Sequence, residues 1–290
     1  MPEVPLVENV AVVGCGVMGA GIVQEAAKGG CSVTAVEPTE QLLEAGRARL
    51  KASLARAEEK GKLEGTTAAE VLSAVRFTTD LAELADSQLV IEAIREIEAD
   101  KVALYRDLQA VVGPQCVLAT NTSSLPVTRL GRALDAPERF LGIHFFNPVP
   151  VLGLVELVPG LATADQTVDI AERFVTERLG KTPLRTVDRA GFVVNTLLVP
   201  YILAAIRLLD AGRGSAQDID NGMVLGAGMP LGPLGLADLI GLDTLLFIAE
   251  SLYDELRDPA MAPPPLLRRH VEAGWYGRKS GRGFFEYDRG

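Results

Sequence analysis

Short apolar runs alternate with longer amphipathic stretches over roughly the first two thirds of the chain; beyond that point the short runs stop. Residues 9–13, 32–36, 89–93, 117–120, 140–144 and 152–158 read as strands, and 183–187 as the last one. Helical spacing lies between them. It follows the first strand to about Lys28, returns over 41–60, and begins again at Thr67, where Glu70 three residues on makes a capping-box pattern. It then covers 100–111 and a stretch opened by Thr163 and Gln166 that runs to about Leu179. Strands and helices in alternation predict an α/β fold with a doubly wound, mostly parallel sheet. From Gly191 on, the stretches 192–209, 215–225, 236–256 (with a break at Gly241 and Asp243) and 266–272 are all helical in pattern, and Pro263-Pro264-Pro265 forms one stiff linker. The expected organisation is therefore two domains. The first is 1–188, with a helical hairpin inserted at about 41–75; the second is an all-helical C-terminal domain, 189–290.

The first strand is followed by Gly14-Cys15-Gly16-Val17-Met18-Gly19 and then a helix, which is G-x-G-x-x-G in the strand–turn–helix context that gives it meaning. The glycines allow a tight turn, backbone approach by a pyrophosphate and close helix–sheet packing. The helix start offers N–H groups to the phosphates. The second strand ends at Glu37, at the spacing of a ribose-binding acid. A carboxylate there accepts from ribose hydroxyls and repels a 2′-phosphate, so the expectation is a Rossmann-type domain that binds NAD rather than NADP. Gly14, Gly16, Val17, Met18, Gly19 and Glu37 are its candidate cofactor contacts.

The run 140–144 ends in His144, one of two histidines in the chain, near the strand end where open α/β sheets hold ligands. Twelve residues on, Glu156 sits in the otherwise apolar run 152–158. A carboxylate among buried neighbours is costly unless something pairs with it, and His144 is the available partner. Two readings stay open on these residues alone: an acid/base pair, or a satisfied core histidine beside a carboxylate on a solvated face. Asn121-Thr122-Ser123-Ser124 follows a strand directly and forms either a polar turn or part of the same cleft. Glu96 and Lys101 lie just past another strand end. Asn195, among apolar neighbours, must find a buried partner or a ligand. The charged hairpin is either a solvated surface or a platform whose Ser53, Lys60 or Lys62 meets a phosphorylated substrate tail.

Composition narrows the field. A chain of 290 residues, 48% hydrophobic, buries a sizeable core. A formal charge of −10 argues against nucleic acid and anionic membranes as partners, while leaving anionic small ligands open. The longest apolar stretch, 192–206, holds Asn195 and Pro200 and falls short of the roughly 18 residues of a membrane span. Met1-Pro2-Glu3-Val4-Pro5 lacks the basic-then-apolar pattern of a leader, so a soluble cytoplasmic protein is expected. Cys15, Cys31 and Cys116 are odd in number and without metal-type spacing, which predicts reduced thiols and no metal site.

Taken together in order, these motifs resemble the L-3-hydroxyacyl-CoA dehydrogenase family in its short bacterial, 3-hydroxybutyryl-CoA dehydrogenase-like form. The likeness extends from Val10 to Tyr287. It rests on the glycine turn continued to Ile22, Asn121-Thr122-Ser123-Ser124, His144-Phe145-Phe146-Asn147-Pro148-Val149-Pro150 and Gly191-Phe192-Val193-Val194-Asn195. It continues through Leu231-Gly232-Pro233, Asp238-Leu239-Ile240-Gly241-Leu242-Asp243 and Lys279-Ser280-Gly281-Arg282-Gly283-Phe284-Phe285. The resemblance implies an NAD-dependent oxidoreductase acting on an acyl-CoA, with His144 as acid/base, Glu156 orienting it, and Ser123 and Asn195 holding the substrate. It implies that Glu96, Lys101, Ser123, Asn147 and Lys279 line the cofactor, that the hairpin meets coenzyme A, and that a homodimer forms through the helical domain. Glu37 stands where relatives more often have aspartate, Gly153 where they have lysine, Thr196 where they have arginine and Ala190 where they have proline. These departures leave acyl-chain preference open. The competing expectations are a related two-domain dehydrogenase of free hydroxy acids or sugar acids, and a catalytically inert dinucleotide-binding relative.

Overall fold

The computed structural model describes residues 5–63 and 65–288. The first four residues, on which the expectation of a leaderless start rests, lie outside the described residues. The chain divides into two compact units, Met1–Asp188 and Arg189–Gly290.

In the first unit β1 (Asn9–Val13), α1 (Val17–Lys28) and β2 (Ser32–Val36) lead into a hairpin of α2 (Glu40–Glu59) and α3 (Ala68–Ser73). Then come β3 (Val75–Thr78), β4 (Leu89–Glu92), α4 (Glu98–Val111), β5 (Val117–Thr120), α5 (Val127–Gly131) and β6 (Phe140–Phe145). The unit closes with β7 (Leu154–Pro159), α6 (Asp165–Arg173) and β8 (Thr182–Arg185). The eight strands form one sheet in the order β3-β2-β1-β4-β5-β6-β7-β8. Strands β1 to β6 are parallel; β7 runs antiparallel to β6, and β8 parallel to β7. The predicted doubly wound, mostly parallel sheet is what the chain forms. Its central strands are buried on both faces, which explains why they read as continuous apolar runs rather than alternating ones.

The differences from the sequence reading have local causes. Strand β3 was not foreseen. It is a four-residue edge strand with a mixed exposed and buried pattern, sitting directly after α3, so its apolar signal is short. Helix α6 begins at Asp165 rather than Thr163, because the Thr163 hydroxyl is used elsewhere: it donates to the Phe140 carbonyl at 2.6 Å and accepts from the Gly160 N–H at 2.8 Å. The hairpin does carry the expected capping box at Thr67 and Glu70.

The second unit consists of α7 (Val194–Asp210), α8 (Ala216–Asn221), α9 (Pro233–Ile240), α10 (Leu242–Leu256) and α11 (Pro265–Glu272), and no strand occurs among its described residues. Helix α7 starts two residues later than the pattern suggests, since Gly191 and Phe192 both take left-handed conformations (φ +73° and +49°) that a helix cannot include. Ile202, Leu203, Leu234, Leu242, Leu245 and Leu252 make its core. Buried Asp238 ties down the C-terminal segment, accepting the Phe284 and Phe285 N–H groups at 2.9 Å each and the Tyr287 hydroxyl at 3.0 Å. Among the described residues no helix is long and apolar enough to cross a membrane.

Candidate active site

The sheet order reverses between β1 and β4, and the first turn is built there. Gly14 has φ +96°, and a Cβ on it would lie 2.7 Å from the Ala93 carbonyl oxygen at the end of β4. A Cβ on Gly19 would lie 1.7 Å from the Gly14 carbonyl oxygen, so only glycine lets α1 descend this close to the turn. Gly16 is different in kind: no atom lies within 4 Å of where its Cβ would be. It caps α1 with no side-chain hydrogen bond, and Gly16 and Val17 are exposed. Open space before a helix N-terminus is a phosphate cradle. Glu37, just past β2, accepts the Cys15 N–H at 2.5 Å, while Arg49 from α2 donates to the Cys15 carbonyl at 2.7 Å. Burial pushes the Cys15 thiol up to about 12, so it is a neutral packing group. The open cradle and the acid beside it fit a dinucleotide.

His144 and Glu156 are directly opposed partners in the antiparallel β6–β7 pair. Their side chains share a face, and Nδ1 of His144 lies 2.7 Å from a Glu156 carboxylate oxygen. His144 is 5% exposed and Glu156 0%. Phe146 packs edge-on against the imidazole with ring centroids 4.7 Å apart. A hydrogen-bonded carboxylate places the neutral ring's proton on Nδ1 and makes Nε2 the basic nitrogen.

Beside this pair, Asn121 accepts the Phe145 N–H through its side-chain oxygen at 2.9 Å and so ties the end of β5 to the end of β6. The Glu96 carboxylate accepts the Ser123 N–H at 3.1 Å and the Thr122 hydroxyl. Thr122 in turn accepts the Leu125 N–H at 2.9 Å, which fixes the turn that carries Ser123.

Lys101, expected to line the cofactor, sits behind Glu96. It is fully buried, with its ammonium 2.6 Å from Glu92 and 3.0 Å from Glu96. Glu92, the last residue of β4, is the residue that the sequence reading passed over. Its carboxylate also accepts the Tyr105 hydroxyl at 2.6 Å, the Thr120 hydroxyl at 2.8 Å and the Ile94 N–H at 2.8 Å. Burial, with Glu92 alongside, pushes the Tyr105 phenol well above its ordinary value and keeps it a donor. The signal was available: an acid inside Leu89-Val90-Ile91-Glu92, the same anomaly that singled out Glu156.

The first unit thus brings Glu37, the glycine turn, Glu96, Ser123, His144 and Glu156 to one set of strand ends. Asn147 follows β6 and is exposed. On the hairpin Ser53 is half-buried in α2, while Lys60 at the helix end and Lys62 are exposed. In the second unit Asn195 is buried in the first turn of α7, and Lys279 is exposed and pairs with Asp243, with Nζ to Oδ1 at 2.5 Å.

A glycine-turn parallel sheet with an enclosed imidazole–carboxylate pair at its strand ends defines a dinucleotide-dependent dehydrogenase. Residues 9–189 match the family model of the 3-hydroxyacyl-CoA dehydrogenase NAD binding domain, and residues 191–287 that of the 3-hydroxyacyl-CoA dehydrogenase C-terminal domain. The chain belongs to the 3-hydroxyacyl-CoA dehydrogenase family, and its cofactor is NAD. It is similar to a 3-hydroxybutyryl-CoA dehydrogenase of Mycobacterium tuberculosis, 50% identical over 282 residues, or 97% of this chain and 99% of that one. Among solved structures it resembles M. tuberculosis FadB2, with TM-score 0.96 and 49% identity over 98% of this chain and 100% of that one. It also resembles (S)-3-hydroxybutyryl-CoA dehydrogenase PaaH1 from Ralstonia eutropha, with TM-score 0.91 and 41% identity over 98% and 100%.

Proposed function

We propose that the chain interconverts (S)-3-hydroxyacyl-CoA and 3-oxoacyl-CoA with NAD, and that 3-hydroxybutyryl-CoA is its substrate. The observation that carries this reading is the His144–Glu156 pair, opposed across two strands at the end of a sheet whose first turn fits a dinucleotide. Oxidising a secondary alcohol removes a proton from oxygen and a hydride from carbon. NAD, when bound, supplies the hydride acceptor at the nicotinamide ring. His144 takes the hydroxyl proton on Nε2 and returns it when the reaction runs in reverse. Glu156 fixes the tautomer through Nδ1–H and stabilises the imidazolium that forms, without itself taking the proton.

Ser123, held by Glu96, donates to the substrate's 3-oxygen and steadies the charge that develops there. Asn195 is assigned a second polar contact to the substrate, and Asn147, Glu96 and Lys279 are assigned to the cofactor. Lys101 is assigned to the cofactor as well, beside Glu96, with which it pairs. Ser53 and Lys60, seven residues apart on one face of α2 and its end, and Lys62 just beyond it, suit the phosphates of coenzyme A. The first unit is the NAD-binding domain and the second the substrate and dimerisation domain. Leu197, Leu225, Leu239 and Phe247 on the surface of the second unit support a homodimer, and we place the enzyme in the cytoplasm.

The test is a set of initial rates with acetoacetyl-CoA and with free acetoacetate, each with NADH and NADPH. The expected kcat/KM is higher for the thioester by at least ~10²-fold, because binding of the distant coenzyme A contributes to the rate, and higher with NADH. Equal or faster turnover of the free acid means a dehydrogenase of another substrate class. No turnover of either means an inert relative.

A further inference from the structure

Lys181 is a buried cation that the chemistry above does not use. It is 8% exposed, and its ammonium donates to the carbonyls of Val149 and Leu152 at 2.8 Å each and lies 3.7 Å from the Glu25 carboxylate of α1. The next residue, Thr182, donates its N–H to the Gly153 carbonyl at 2.8 Å. Two consecutive residues therefore hold three carbonyls of the connection between β6 and β7. The connection also rests on α1, where a Cβ on Gly21 would lie 2.8 Å from the Val149 Cβ.

This connection separates the two members of the acid/base pair. It starts at Phe146, whose ring meets the His144 imidazole, and ends in β7, which carries Glu156. Burying an ammonium costs free energy unless its hydrogens are all engaged. An apolar chain of the same length fills this space as well as lysine does, so the charge is explained by the carbonyls it holds.

We propose that Lys181 is a positioning residue for the dehydrogenase step: it clamps the β6–β7 connection onto α1 so that Phe146 holds the His144 imidazole at its working angle. This rests on the assignment of His144 as the base.

The test is a double-mutant cycle in the full-length enzyme with acetoacetyl-CoA and NADH. Lys181→Met removes the ammonium and keeps the chain length. It is expected to lower kcat by at least ~10-fold, the scale of a sub-ångström misplacement at the reacting group. KM and the dissociation constant for NADH are expected to change by less than threefold. In a His144→Gln background the same substitution is expected to change kcat by less than twofold, because the residue through which it acts is gone. Equal losses in both backgrounds overturn the proposal, since they mean a general loosening of the fold; so does an unchanged kcat. If Lys181→Met does not fold, Glu25→Gln is run through the same cycle. It leaves the carbonyl bonds in place, and its expected loss of about threefold must also vanish with His144 absent; any other result overturns the proposal. A wild-type enzyme inactive on acetoacetyl-CoA refutes the functional reading instead, whatever the variants do.

Discussion

Glu156→Gln isolates what the carboxylate contributes, because the amide has nearly the same shape. In the resting enzyme Glu156 is fully buried and 2.7 Å from Nδ1 of His144. During oxidation the imidazole becomes an imidazolium in an enclosed site, and the amide lacks the negative charge that pairs with it. Removing one partner of a buried charged pair costs about 3 kcal/mol or more. Since each ~1.4 kcal/mol is tenfold, kcat is expected to fall by at least ~10²-fold. The amide can also turn its NH₂ toward Nδ1, which favours the wrong tautomer and deepens the loss. The assay is steady-state gain of NADH absorbance with (S)-3-hydroxybutyryl-CoA and NAD across a range of pH, with NADH binding followed separately by fluorescence. The expected result is a large fall in kcat, a changed pH dependence and an NADH dissociation constant within threefold of wild type. A kcat within threefold and an unchanged pH profile refute the reasoning.

Two glycines in one turn predict opposite failures. Gly16→Ala meets no atom within 4 Å and should keep its melting temperature while losing NADH affinity by at least ~10-fold, as the methyl fills the space a pyrophosphate needs. Gly19→Ala meets the Gly14 carbonyl at 1.7 Å and should lose ~3 kcal/mol or more of stability in denaturant titration. Asp238→Ala strands two N–H groups and a hydroxyl and should cost ~3 kcal/mol by the same measurement. Burial holds the Asp238 carboxyl above its ordinary range. The folded state therefore binds the proton more tightly than the unfolded chain, and this residue's contribution to stability declines as pH rises from the ordinary aspartate range through the raised value; Asp238→Asn should lack that slope. Glu37→Ala should raise the NADPH to NADH ratio of kcat/KM by at least ~10-fold, since it removes the charge that repels a 2′-phosphate.

The architecture was legible because the sheet is central and parallel: strands buried on both faces produce unbroken apolar runs, and Gly14, Gly16 and Gly19 mark the first turn. His144 and Glu156 were legible as anomalies, polar residues in apolar strands. Their register was not, because it depends on how the connection 146–153 folds, which no local spacing announces. Glu92 gave the same anomaly as Glu156 but has its partners at Lys101, Tyr105 and Thr120, a helix and a strand away, where no local spacing announces them. Strand β3 escaped because an edge strand of four residues needs only one fully buried side chain, Thr78.

His144 moves the proton, and no substitution probes this more closely than His144→Gln. With NADH binding measured by fluorescence and turnover of acetoacetyl-CoA in the same preparation, the expected result is an NADH dissociation constant within about threefold of wild type and a kcat reduced by ~10² or more. Turnover at the wild-type rate, with NADH bound as tightly, contradicts it.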